Sequence, residues 1–331
     1  MKALTDLVRS VNAQGALVTE HGLGCLEVRG KDGLDLLHRL STNDLISGPA
    51  HRVVRTVFTS EKGRVVADAE VVVAGSNTYL ITWKSAFGSL RDWIERFTIL
   101  EDISLAEVTD DLTVSWLLGP DSFSRMHFEN QMETHFRSAQ VAGSANLSCW
   151  TSNLGGIPGI RWLAGRSVAA EFLDAAVHAG RMRLDAASYD LIRIAAGTPV
   201  YPNELNSGTH PLEVGFREAI SFTKGCYVGQ EVVTRLDAYG KVQRQLVLLE
   251  VQGDPDLSSQ TTEVVLGDQV LGHITSSSGP LFEGGWLALA LCRKGSHTQP
   301  GTELSIRAGA QTRAARVRPF LGSDSPHPEH H

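Results

Sequence analysis

Lys224-Gly225-Cys226-Tyr227-Val228-Gly229-Gln230-Glu231 is the stretch from which the fold can be read in both directions. Two glycines four residues apart flank a cysteine, an aromatic ring and a β-branched residue. That composition suits a tight turn presenting backbone amides and a thiol on one surface. Lys224 adds a positive charge beside Cys226, a setting that favours the thiolate. The same residues also allow a plainer structure, in which the glycines shape a hairpin and Cys226 packs as a small apolar residue.

Downstream of this stretch, near Tyr239-Gly240-Lys241, the chain changes character. Val242–Val251, Glu263–Leu266, Gln269–Ser276, Trp286–Leu291, Thr302–Ile306 and Thr312–Val317 read as short strands punctuated by Gly, Pro and Ser. Five or six strands without a helix predict a small closed barrel or sandwich of about 80 residues.

Upstream, strands and helices mix. An opening helix around Leu4–Val11 precedes a strand at Leu23–Arg29 and a helix carrying Leu34, Leu36, Leu37 and Leu40 at helical spacing. Val53–Phe58 and Val65–Val73 are β-branched runs joined by Ser60-Glu61-Lys62-Gly63, a hairpin signal. Thr78–Thr82 reads as a strand, and Phe87, Leu90, Ile94 and Phe97 fall on one helix face. Leu112–Leu118 reads as another strand, and Phe123–Phe136, Val168–Ala179 and Ala186–Ala196 are further helical candidates. The pattern predicts an α+β region with an antiparallel sheet.

Composition narrows the function. The chain has 331 residues, 42% hydrophobic and 20% charged, which fits a folded chain rather than a disordered or collagen-like one. Its longest apolar runs, such as Trp286–Cys292, fall far short of the ~18 residues a membrane helix needs. Asp6, close behind Met1-Lys2, interrupts what a signal peptide would keep apolar, so a cytoplasmic protein is expected. With 30 Lys plus Arg against 37 Asp plus Glu, the net charge of −7 argues against nucleic-acid binding through a basic face. Cys25, Cys149, Cys226 and Cys292 are scattered and form no zinc or disulfide spacing, so no metal ligand set is expected. The His-rich end, Pro326 to His331, fits a frayed terminus or a purification tag.

The string from Lys224 to Glu231 resembles the signature of the YgfZ-type proteins, folate-binding relatives of the glycine-cleavage T-protein that support iron–sulfur cluster assembly. Further elements follow in the family's order: Gly30-Lys31-Asp32-Gly33, Leu40-Ser41-Thr42-Asn43-Asp44-Leu45, Lys62-Gly63-Arg64-Val65-Val66-Ala67-Asp68, Arg193-Ile194-Ala195-Ala196-Gly197-Thr198-Pro199 and Pro211-Leu212-Glu213.

The resemblance implies an α+β fold of two interleaved lobes, one ferredoxin-like, followed by a C-terminal antiparallel β-barrel. The corresponding layout is residues 1–240 for the lobes, 241–322 for the barrel and 323–331 for a disordered tail. It also implies a cofactor, tetrahydrofolate or a one-carbon derivative, in a central opening. A reduced pterin has a donor-rich edge that a buried carboxylate can bind, for which Glu213 and Glu204 are candidates. Arg235, Lys241 and Arg244 could meet the folate tail. Lys224, Gly225, Tyr227 and Gln230 belong to the signature, and Asn43 and Asp44 could close the opening. Cys226 and Asp68 are the candidates for chemistry. Each of these has a plainer role as a solvated charge, a turn former or a cap.

The implied function is a tetrahydrofolate-binding accessory protein acting on iron–sulfur client or assembly proteins, as a monomer. The rivals are a folate-dependent aminomethyltransferase or demethylase and a plain folate-binding module. T-proteins resemble this chain but carry a pair of acids where Ala67-Asp68 stands and lack the cysteine of the signature, which weighs against aminomethyl transfer.

Overall fold

The computed structural model describes residues 2–19, 22–119, 136–141, 144–253, 262–280, 285–309 and 311–323. In chain order the elements are α1 (Lys2–Gln14), β1 (Ala16–Val18), β2 (Leu23–Arg29), α2 (Gly33–Leu40), β3 (His51–Thr59), β4 (Val65–Ala74), β5 (Asn77–Trp83), α3 (Phe87–Phe97) and β6 (Ser104–Glu107). Next come β7 (Leu112–Leu118), β8 (Phe136–Val141), β9 (Ser144–Leu154), β10 (Ile157–Gly165), α4 (Arg166–His178), β11 (Met182–Leu184), α5 (Ala186–Ala195) and α6 (Gln230–Ala238). The chain then runs through β12 (Arg244–Gln252), β13 (Glu263–Leu266), β14 (Gln269–Ser277), β15 (Gly285–Arg293), β16 (Glu303–Ala308) and β17 (Gln311–Arg318).

Three sheets result. β3-β4-β5-β2-β6 form a five-stranded sheet, β11-β1-β7-β10-β9-β8 a six-stranded one, and β12-β15-β14-β13-β16-β17 a closed barrel. The first two interleave along the chain, because β1 pairs with β7 and β11 while β2 to β6 lie between them. This is the expected α+β arrangement with its all-β end.

Burial on β4 explains how the two sheets meet. Ala67, Ala69, Val71 and Val73 pack with Leu36, Leu37 and Leu40 of α2 and Leu90 and Ile94 of α3. The opposite face carries Asp68, Glu70 and Val72, and Val72 packs with Val114, Trp150 and Leu163 of the six-stranded sheet. A strand alternates sides at every residue, so a run buried on both faces must be sandwiched. The six-stranded sheet is covered on its outer face by α4, where Val168 and Ala169 pack on Leu117, Ile160 and Trp162. The barrel joins through Leu246, Leu248, Leu287 and Leu289, which share a core with α1 and with Ile192 and Ile194 of α5.

The hairpin at Ser60-Glu61-Lys62-Gly63 forms as expected, with Gly63 at φ +66 and its N–H donating to the Ser60 carbonyl at 2.8 Å. Two sequence expectations change. Helix α6 begins within the Lys224–Glu231 stretch, at Gln230, and runs to Ala238 ahead of the first barrel strand, where the sequence reading placed no helix. Of the helical candidate at 123–136, residues 123–135 lie outside the described residues, and Phe136 opens strand β8. The tail expected at 323–331 also lies outside them, apart from residue 323.

Candidate functional site

The Lys224–Glu231 stretch is anchored at both ends. The Lys224 ammonium donates to the carbonyls of His38 (2.5 Å), Ser41 (2.8 Å) and Asn43 (2.8 Å). It thereby caps the C-terminal, negative end of α2 with all three of its N–H groups. Burial pulls the Lys224 pKa down, a cost that the carbonyls and the helix end offset. Gly229 sits at φ +85, where a Cβ would lie 2.4 Å from the Ser60 carbonyl oxygen, so only glycine lets the stretch close on the β3–β4 hairpin. Gly225 has open space around it and no left-handed φ, so of the two glycines only Gly229 is dictated by the backbone.

Tyr227 is buried, its hydroxyl has no partner among the described residues, and burial raises its pKa to about 12. Cys226 is exposed, whereas Cys25, Cys149 and Cys292 are buried in three different cores. The fold does not gather the cysteines as a cluster would require. Gln230 is half-buried and Arg235 is exposed; among the described residues neither side chain has a hydrogen-bond or ion-pair partner. Asn43 fastens two loops, its amide donating to the carbonyls of Arg55 (2.8 Å) and Glu218 (3.3 Å) while its oxygen accepts from the Asp44 N–H (2.9 Å).

Glu213 and Glu204 have their oxygens engaged at the seam with the barrel. Arg244, the first residue of β12, grips Glu213 in a fork: Nε to Oε1 at 2.8 Å and Nη2 to Oε2 at 2.6 Å. The His210 N–H also donates to Glu213 Oε2 at 2.9 Å, and Arg64 lies 3.7 Å away. Glu204 is fully buried: Oε1 accepts from Ser276 of β14 at 2.7 Å, Oε2 from the Val200 N–H at 3.0 Å, with Arg193 at 3.9 Å. Nothing in the sequence linked these acids to barrel residues. A cleft of ≈ 300 Å³ opens beside Arg193 and Asn203, lined also by Trp83, Tyr189 and Tyr201.

Asp68 is placed differently. It is buried on the inner face of β4, one oxygen 3.5 Å from Arg55, while Oδ1 has no partner among the described residues. Desolvation raises its pKa, with the Arg55 guanidinium pulling the other way. Arg55 is itself stacked on Phe216 at 4.1 Å. Two residues along, Glu70 Oε1 pairs with Arg161 of β10 at 2.7 Å, and Arg161 stacks on Trp116 of β7 at 4.1 Å. Burial works against the Arg161 charge, but Glu70, then Tyr189 and Asp68, keep it protonated. Chemically, the inner face offers a carboxyl group with a free oxygen, held in a water-poor setting beside a fixed cation.

Among the described residues no group of three His, Cys, Asp or Glu side chains is placed to hold a metal, and no helix is long and apolar enough to cross a membrane.

The model of the GCVT N-terminal domain matches residues 2–224, and that of the glycine cleavage T-protein C-terminal barrel domain matches residues 244–320. The chain belongs to the glycine-cleavage T-protein family. Its relatives include the aminomethyltransferase of Symbiobacterium thermophilum, 26% identical over 338 residues, covering 96% of this chain and 89% of that protein. The aminomethyltransferase of Moorella thermoacetica is 27% identical over 326 residues, covering 93% and 87%. The crystal structure of glycine cleavage system aminomethyltransferase T from Bartonella henselae matches with a TM-score of 0.76 at 14% identity, covering 96% of this chain and 89% of that one, so the fold is shared.

Proposed function

We propose that this T-protein family member binds tetrahydrofolate or a one-carbon derivative beside Asp68, and acts as a YgfZ-type accessory protein in iron–sulfur cluster assembly or repair. The observation that carries the binding half is the Asp68 carboxyl: it is buried, and one oxygen finds no partner among the described residues. A buried acceptor left open is costly unless something donates to it. The amino and ring N–H groups of a reduced pterin are donors of the right kind. Arg235 and Lys241, both exposed, are available to the anionic glutamate tail. Glu204 and Glu213 could reach the ligand only with oxygens already bonded to Ser276 and Arg244, so this proposal gives them the task of holding the barrel against the lobes.

The accessory half rests on the resemblance of the Lys224–Glu231 stretch to the YgfZ signature and on the exposure of Cys226. A monomer in the cytoplasm, meeting iron–sulfur client or assembly proteins through the Cys226 surface, is part of the same proposal. Aminomethyl transfer is the second reading, favoured by the names of the relatives. Against it, position 67 is an alanine packed on the helices, so the Ala67-Asp68 pair carries one acid where the T-protein pattern has two.

Titration calorimetry with tetrahydrofolate tests binding; parent protein that gives no heat ends the proposal. Cys226→Ser separates the readings. An accessory protein should lose its support of iron–sulfur enzymes in cells while keeping its folate, whereas a transferase should keep full turnover of a methylamine substrate.

A further inference from the structure

Building on the folate reading, we propose that the six-stranded sheet supplies the second half of the binding slot: the Trp116 indole N–H and the Ser152 hydroxyl, flanking Gly159, donate to the acceptor edge of the heterocycle whose donor edge meets Asp68.

The placement follows from two contacts that fix how the sheets face each other. Val72 of β4 packs in one cluster with Leu163 of β10, and Glu70 bonds to Arg161. Moving two residues along each strand keeps to the same face. The next pair in this series is Asp68 and Gly159. Gly159 has no side chain, and an added Cβ would lie 2.6 Å from the Leu117 carbonyl oxygen and 3.0 Å from Trp116 Nε1. The bare glycine therefore leaves a floor over which the Trp116 indole nitrogen sits. Ser152 is the register partner of Gly159 on β9, so its side chain shares that face.

Both donors lack partners among the described residues: Trp116 Nε1 and Ser152 Oγ are buried and unbonded, like Asp68 Oδ1. Buried polar groups are nearly always satisfied in folded proteins. Glu70 Oε2 on β4 and Trp150 Nε1 on β9 are open on the same two faces, so β4 offers acceptors and the six-stranded sheet offers donors, the arrangement that suits a ligand with complementary edges. A reduced pterin has that pattern, with a carbonyl and a ring nitrogen as acceptors and N–H groups as donors. Trp116 is also held in place, with Arg161 stacked on one side and the Tyr189 ring edge-on at 6.4 Å, so its N–H direction is set before any ligand arrives.

The test is calorimetric titration of the parent protein and of Trp116→Phe, Ser152→Ala and Asp68→Asn with tetrahydrofolate and with tetrahydropterin, which lacks the glutamate tail. Trp116→Phe keeps an aromatic surface for Arg161 and removes only the donor and part of the ring. Each donor variant should weaken both probes by about tenfold, because a ligand acceptor loses its bond in a buried site. Melting temperatures near that of the parent show that the variants fold; a variant that fails this is replaced by Ser152→Gly or Trp116→Leu, which also lack the donor. Parent-like affinity in both donor variants, with binding lost in Asp68→Asn, overturns the inference, leaves the folate reading standing and assigns the slot to ordered water. Absence of binding to the parent overturns both.

Discussion

Arg244→Leu should loosen the barrel from the lobes. The substitution removes the fork on Glu213 and the bond from Nη2 to the Gly208 carbonyl. Glu213 is 5% exposed, so it cannot recover water without local opening. Removing one partner of a buried pair commonly costs about 3 to 5 kcal/mol, because the other charge is left uncompensated. Two features lower that figure. The Arg244 side chain is 37% exposed, and Arg64, 3.7 Å from the carboxylate, can take over part of the pairing. A cost of about 2 to 3 kcal/mol is the reasonable expectation, equivalent to a fall of about 3 to 4 °C in Tm at this chain length. Scanning calorimetry of four proteins, the parent, Arg244→Leu, Glu213→Leu and the double variant, measures it. The double variant should recover at least about half of the loss, since it no longer buries a lone charge. A single-variant cost below about 0.5 kcal/mol, or a double variant less stable than Arg244→Leu, would refute the reasoning.

Three further outcomes are expected. Gly229→Ala should lower Tm markedly, combining a left-handed φ with a contact on the Ser60 carbonyl, whereas Gly225→Ala should leave Tm nearly unchanged; similar losses at both would remove the distinction drawn between the two glycines. Limiting iodoacetamide, mapped by mass spectrometry, should label Cys226 first, because burial raises the Cys25 and Cys292 thiols to about 12 and Cys149 is buried; equal labelling would contradict the burial pattern. Asp68→Asn should stabilise the ligand-free protein at neutral pH. The Asp68 pKa is raised in the fold, so the stability it contributes is complete below its unfolded pKa and is lost as pH rises through the folded one; the difference between Asn and Asp should therefore vanish at acid pH, and stabilisation that persists there would assign the effect to packing.

The barrel was legible because its strands are closed by local signals. Each run predicted from Val242 onward matches an observed strand to within a few residues, and half of its ladders, β13–β14, β14–β15 and β16–β17, join neighbours along the chain. The six-stranded sheet was harder. β1 has three residues, and its partners β7 and β11 lie far along the chain, so nothing local marks it as a sheet member. The β9–β10 hairpin did carry a signal, Gly155-Gly156 between apolar runs, with both glycines at positive φ. Helix α6 was masked by Val232 and Val233, β-branched residues that favour strands, although Val233 and Leu236 have helical spacing. The acids were visible but their partners were not. Arg244 lies 31 residues beyond Glu213 and Ser276 lies 72 beyond Glu204, distances at which sequence spacing says nothing about contact.

What separates the acids of this chain is the state of their oxygens. Glu204 and Glu213 are each held by donors on both oxygens, and each reaches a barrel strand. Glu70 pairs with Arg161 through Oε1 at 2.7 Å while its Oε2 is open, and Arg161 is in turn held by Trp116. Asp68 has only Arg55, at 3.5 Å, and one oxygen open. For stability alone an apolar residue at position 68 would serve better, since its neighbours on β4 are already buried and a carboxylate there costs desolvation. A buried acid that the fold neither needs nor fully satisfies is understandable as half of a binding contact, and the unbonded donors on the facing sheet point the same way. The division has a measurable consequence: changes at Glu204 and Glu213 should act on melting first and on ligand affinity through it, while changes at Asp68 should act on affinity and move melting in the opposite direction.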